Sequence, residues 1–145
     1  MQFISSDYEV NEREAISAVT VQHLGKKFDG YAWGHPDDKE NWSEFAGCSY
    51  AETRAMIEAL KYERKQAKDK ADAAIDFLKA CECYKNFDKD SETAKVLYRQ
   101  INQRVKRVND LADEINGLYD SLDKAIKRRE IVVNALKTKR SKEEN

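Results

Sequence analysis

The stretch that decides the fold is Leu97–Leu136, LYRQINQRVKRVNDLADEINGLYDSLDKAIKRREIVVNAL. Within it Leu97, Ile101, Arg104, Val108, Leu111, Ile115, Leu118, Leu122, Ala125, Arg129, Val132 and Leu136 follow one another at gaps of four and three without a slip. That alternation marks one face of an α-helix. A second series at spacing seven, Val105, Ala112, Tyr119, Ile126 and Val133, lies beside the first. The combined stripe is wider than a two-stranded coiled coil needs, so this helix is expected to touch more than one neighbour. Asn116-Gly117 could instead be a turn, since the pair favours left-handed backbone. The register passes through it unbroken, which predicts a continuous helix over 90–138, capped by Asp90 or Ser91 and roughly 70 Å long.

Working back from this segment, Ser49-Tyr50-Ala51-Glu52 reads as a capping box that opens an earlier helix over 48–84, roughly 50 Å long. Ile57, Leu60, Ala67, Ala71, Ala74, Leu78 and Cys81 form its stripe, with Arg64 in the one gap and alanines where a partner helix could come close. Asn86–Asp90 is the polar break between the two helices. The expected architecture is mainly α: a long antiparallel, coiled-coil-like helical hairpin that associates into an oligomeric bundle. Leu97, Ile101, Val108, Leu111, Ile115, Leu118 and Leu122 are the expected helix-packing and oligomer positions. Residues 139–145 are charged and read as a disordered tail.

Residues 1–47 read as a small β region of the same domain. Ile16–Leu24 is rich in β-branched residues, Gly25-Lys26-Lys27 supplies a turn, and Phe28–Trp33 returns as the second arm of a β-hairpin. Phe3, Ile4, Tyr8 and Val10 could add a short strand. On the second arm Tyr31, Trp33 and His35 share one face, and Gly30, Ala32 and Gly34 the other. The small-residue face predicts close approach of another element, the following helix above all. Pro36 ends the strand, His35–Asp38 forms a turn, and a short amphipathic piece follows around Asn41–Phe45.

Composition fits few, long elements. Of 145 residues 37% are charged, with five Gly and one Pro, and mean hydropathy is −0.85. The net charge of −1 gives the molecule as a whole no electrostatic reason to seek nucleic acid. No apolar run reaches the roughly 20 residues of a membrane span, and MQFISSDYEV does not have the pattern of a signal peptide. Cys48, Cys81 and Cys83 are odd in number, and two of them diverge on one helix, as expected of reduced thiols in a cytosolic compartment.

Chemistry-bearing patterns are sparse. His35-Pro36-Asp37-Asp38, with His23 across the hairpin, could ligate a metal, but Pro and Asp at those places build a turn first. Cys81-x-Cys83 on a helix cannot aim both sulfurs at one ion. The sequence holds no phosphate loop, nucleophile elbow or His-Glu-x-x-His pair, so neither enzyme, cofactor nor metal is expected. Arg99, Arg104 and Arg107 cluster on one helix, and arginines aimed at an interface can hold a phosphate or acidic partner. Tyr31, Trp33 and Trp42, with Phe45, give the β region an aromatic density suited to stacking a planar ligand or anchoring a protein. These six side chains, Arg99, Arg104, Arg107, Tyr31, Trp33 and Trp42, are the candidate binding residues. Residues 124–142 carry eight basic side chains and one acidic one, a basic end that could touch nucleic acid.

Gly30, Ala32, Pro36, Asp38, Gly47, Ala51 and Arg54 match a pattern, Gly-x-Ala-x-Cys-x-Pro-x-Asp-x-Phe-Asp then Gly-x-x-x-Ala-x-x-Arg, so that this segment resembles small phage and prophage accessory proteins. Gly34 stands where the pattern has cysteine, and Asn41-Trp42 near its Phe-Asp. The resemblance spans about 25 residues and implies a phage-borne accessory protein, often an inhibitor of host defence. The expectation is therefore a non-enzymatic protein that binds and neutralises a host protein or a nucleotide-like anionic signal. The alternatives are a virion structural or assembly scaffold and a nucleic-acid-associated regulator.

Overall fold

The computed structural model describes residues 4–11, 14–34 and 43–143. Three antiparallel strands, β1 (Ile4–Asn11), β2 (Ile16–His23) and β3 (Lys26–Trp33), precede two helices, α1 (Glu44–Glu82) and α2 (Glu92–Glu143). The chain is mainly helical, and it divides into two compact units. One combines residues 1–59 with 116–145; the other is 60–115.

In the first unit the expected hairpin is the second half of a three-stranded meander in the order β1-β2-β3. β1 is a full strand of eight residues, not an optional short one. Its sequence looks too polar to stand alone, but pairing with β2 puts Tyr8 and Val10 on the side of Val19 and Ser17, and leaves Asp7 and Glu9 outward. The β2–β3 turn is Leu24-Gly25, one residue earlier than expected, since His23 pairs with Lys26. Both turn residues have positive φ, 53° and 75°, as a type I′ hairpin turn demands.

One sheet face packs on the start of α1. Along β2 the alternate residues Ser17, Val19, Val21 and His23 are buried. From α1 the i, i+4, i+8 series Ala51, Ala55 and Ala59 meets them, with Ala32, Phe28, Tyr50 and Met56 completing the core. Gly30 is the point of closest approach. A Cβ there would lie 1.9 Å from the Ala51 oxygen and 2.5 Å from the Ala55 nitrogen. The small-residue face of β3 is thus occupied by the following helix, as its pattern predicts.

α1 begins five residues ahead of the expected capping box. Ser43 is the N-cap: its Oγ accepts from the Ala46 amide at 3.2 Å, and its carbonyl accepts from the Gly47 amide at 2.9 Å. Ser49 lies inside the helix, where its carbonyl accepts the Thr53 hydroxyl. The earlier start places Gly47, which is buried, one turn ahead of Ala51. α2 is capped by Ser91, whose Oγ accepts from the Ala94 amide at 3.2 Å. It runs without interruption through Asn116-Gly117. It also continues to Glu143, past the expected end at 138; residues 139–143 contain neither Gly nor Pro and extend the helix instead of fraying.

In the second unit, segments 60–82 and 92–115 run antiparallel. Leu60, Ala71, Ala94, Ile101, Val108, Leu111 and Ile115 are buried there, and Leu97 is half-buried. Ala71 supplies the close approach expected of the alanine-rich middle of α1. In the first unit Leu118 and Leu122 are half-buried, but Val132 and Leu136 are exposed at 49% and 41%. The inward positions near the end of α2 are Ile126, Arg129 and Val133. Helix geometry explains the change: at 3.6 residues per turn a seven-residue repeat slips by about 20° each time, so Val132 trails Leu111 by about 60°.

Candidate functional site

The six expected binding residues are divided between the two units and the residues not described. Arg99, Arg104 and Arg107 belong to the second unit, Tyr31 and Trp33 to the first, and Trp42 lies outside the described residues. Within the second unit each arginine has a separate setting. Arg107 forms an ion pair with Glu63 of α1. Arg104 donates through Nη1 to the Lys70 carbonyl at 3.2 Å. Arg99 lies on an open face of α2 with Lys95, Tyr98 and Lys106, where Lys106 is paired with Asp110 at 2.9 Å. Arg104 and Arg107 are thus cross-links between α1 and α2 segments.

Tyr31 and Trp33 alternate with the buried Gly30 and Ala32 along β3 and are 51% and 72% exposed. β3 is an edge strand, and Arg54 of α1 reaches it, donating through Nη1 to the Tyr31 carbonyl at 2.7 Å. Four of the residues shared with the phage pattern have a common role here. Gly30 and Ala32 on β3, and Ala51 and Arg54 on α1, serve the β3–α1 crossing through close packing or, for Arg54, a hydrogen bond, while Gly47 lines the groove described next. The first four positions carry a packing arrangement; Pro36 and Asp38 lie outside the described residues.

A groove of about 290 Å³ in the first unit gathers what sequence spacing could not. Trp33 and Gly34 from the end of β3 form one wall, and Ser43, Gly47 and Tyr50 from the start of α1 another. The third wall is α2, through two adjacent rows: Ile126, Glu130 and Asn134, and Arg129, Val133 and Lys137. Each row repeats at i, i+4, i+8, about 6 Å per step along the helix axis. Tyr50 is held by its hydroxyl, which donates to the Ala125 carbonyl at 3.3 Å, tying α1 to α2 beside the groove.

Chemically the groove mixes apolar and polar surface. Trp33, Ile126 and Val133 give it flat hydrophobic surface, Arg129 and Lys137 two cations, Glu130 a carboxylate and Asn134 an amide. The Ser43 hydroxyl is engaged as the helix cap, and no imidazole or thiol lines the groove among the described residues. Also among the described residues, no group of three or more His, Cys, Asp or Glu side chains could hold a metal ion. His23, the one described partner of the conceivable two-histidine site, is buried on the helix-facing side of the sheet. Sequence reading noted Arg129 as a stripe arginine but assigned it no site. Its charge inside the stripe was the available signal; Lys137, Tyr50 and Ser43 offered none, because their convergence depends on segments about 75 residues apart.

Comparison with protein-family models, curated proteins and solved structures gave no match.

Proposed function

We propose that this chain is a non-enzymatic binding protein of phage origin that neutralises a host factor by holding it, with the first-unit groove as its ligand-binding element. The carrying observation is that groove's composition: an exposed indole and two aliphatic side chains beside a guanidinium, an ammonium and an amide. A planar base can stack on Trp33, and phosphate oxygens can accept from Arg129 and Lys137, whose multiple donors allow more than one partner each. The volume of about 290 Å³ is near the lower end of small-ligand sites, suited to one nucleotide-sized moiety. The ligand class is therefore a nucleotide-like anionic signal. The likeness to phage accessory proteins supports the biological setting.

Titration calorimetry and thermal shift with ADP-ribose, cyclic ADP-ribose and cyclic dinucleotides test this reading. Binding is expected to quench Trp33-dependent fluorescence and to weaken at least tenfold in Trp33→Ala and in Arg129→Gln. A panel that leaves the melting temperature unchanged sinks the sequestration of a nucleotide signal.

Self-association belongs to the same proposal. In the second unit Phe77 and Val105 are exposed at 61% and 38%, surface that a further helix pair could cover. Light scattering at micromolar concentration should return a species larger than one chain; a monomer removes this part. A scaffold role is favoured by one feature, two uninterrupted helices of 39 and 52 residues. Stoichiometric recovery of the protein in purified virions would favour that role over ligand capture.

A further inference from the structure

Glu130 is the one acidic side chain among the described residues that line the first-unit groove. It follows Arg129 directly and precedes Lys137 by seven residues. A carboxylate repels phosphate, so in a site that holds a phosphorylated ligand it has to meet another part of that ligand. Local pairing does not account for its presence. Lys127, three residues before it, is committed to Asp123 at 2.9 Å. Glu130 is also exposed, so packing within the chain does not require it.

Glu130, Asn134 and Lys137 succeed one another at steps of four and three, which keeps them on one side of α2. The helix rise sets Asn134 about 6 Å and Lys137 about 10 Å beyond Glu130 along the axis. That order of acceptor, amide and cation is also the order of base edge, ribose and 5′-phosphate along a nucleotide. Lys137 can donate to the phosphate and Asn134 can meet the ribose hydroxyls. Glu130 then faces the hydrogen-bonding edge of a base whose flat side lies on Trp33.

The chemistry of that edge selects one base. A carboxylate only accepts hydrogen bonds, through a fork of two oxygens. Guanine presents N1–H and its N2 amino group side by side, two parallel donors that fit the fork as a guanidinium does. Adenine sets its N6 amino group beside the lone pair of N1, and cytosine its N4 amino group beside that of N3. One oxygen of the fork would then face an acceptor. Uracil flanks its single N3–H with two carbonyls. A polar group left facing its own kind is what makes such discrimination steep.

We infer that the groove selects guanine nucleotides, with Glu130 accepting from N1–H and the N2 amino group, an assignment that rests on the groove being the nucleotide site proposed above. Titration calorimetry of the full chain with cyclic di-GMP, cyclic di-IMP and cyclic di-AMP compares three base edges on one backbone. Cyclic di-GMP is expected to bind at least about tenfold more tightly than cyclic di-AMP. Cyclic di-IMP, which has N1–H but no N2 amino group, should fall between them. Glu130→Gln exchanges one acceptor oxygen for a donor amide, which suits adenine, and is expected to abolish or reverse the order. Its circular dichroism melt should match that of the parent chain, as befits an exposed position. Equal affinity for the three ligands, or tighter binding of cyclic di-AMP by the parent chain, overturns the guanine assignment and leaves the groove a nucleotide site. A guanine preference that Glu130→Gln retains in full overturns it as well. If neither these ligands nor ADP-ribose binds, the nucleotide site itself is lost and the selectivity falls with it.

Discussion

A methyl group added at Gly30 would lie 1.9 Å from the Ala51 carbonyl oxygen and 2.5 Å from the Ala55 amide nitrogen, where ordinary contact begins at 3.4 Å. Both obstacles are backbone, so no rotamer change can relieve them. β3 and α1 must separate by about 1.5 Å over a core of Val19, Val21, Ala32, Ala51, Ala55 and Ala59. Overpacking typically costs about 1–3 kcal/mol, and a clash with rigid backbone belongs at or above the upper end. For a unit of this size, about 3 kcal/mol lowers Tm by roughly 10–20 °C. Gly117 is the matched control: it lies in mid-helix with nothing within 4 Å of an added Cβ. There the same substitution removes the helix penalty of glycine and is expected to stabilise by about 0.5–1 kcal/mol. Chemical denaturation of both variants, followed by circular dichroism and by Trp fluorescence for the first unit, measures the pair. If Gly30→Ala melts within about 2 °C of the parent chain, the close β3–α1 crossing is wrong.

Three further outcomes follow. Leu111→Ala removes a fully buried side chain and should cost about 2–5 kcal/mol; Val132→Ala, on the same heptad series but exposed, should cost under about 1 kcal/mol, both read from urea midpoints. Ser43→Ala should destabilise by about 1 kcal/mol and Ser49→Ala by much less, because the first caps α1 and the second lies inside it; reversal of that order would restore the capping box as the helix start. Tyr98 titrates above its ordinary value of 10.0, through loss of hydration, then its hydrogen bond to Glu82 and the charges of Glu82 and Asp90. Because the folded state holds that proton more tightly, the contribution is fully present below about pH 10 and is lost as pH rises through the elevated value. Tyr98→Phe should flatten the alkaline fall of Tm, and an unaltered slope between pH 9 and 11 would contradict the Tyr98–Glu82 contact.

Legibility in the sequence followed the range of the interactions. The stripe from Leu97 to Ile115 and the small face of β3 were readable because local period alone dictates which side of an element is apolar. β1 was underrated because half its residues are polar and its stability comes from β2, a partner outside any local window. The capping box at Ser49 satisfied a local rule, but Ser43 offers an earlier cap and nothing in 44–48 stops the helix from starting there. The exposure of Val132 reflects accumulated slip between a heptad pattern and a straight helix, which a list of gaps conceals. The groove was the least accessible feature. Trp33, Tyr50 and Arg129 come from three elements, and nothing in their spacing indicates that they meet.

The first unit is discontinuous, its two pieces separated by the 56 intervening residues of the other. That arrangement imposes an order of assembly. The meander and the start of α1 emerge first during synthesis and can pair through neighbouring segments alone. Tyr50 and Ala125, by contrast, lie 75 positions apart. Bringing so distant a pair together from an open chain is slow, whereas prior collapse of 60–115 into its own hairpin shortens the loop left to close. The groove is then completed only when residues 126–137 have left the ribosome. A nascent or C-terminally shortened chain would carry the sheet intact and the groove without its α2 wall.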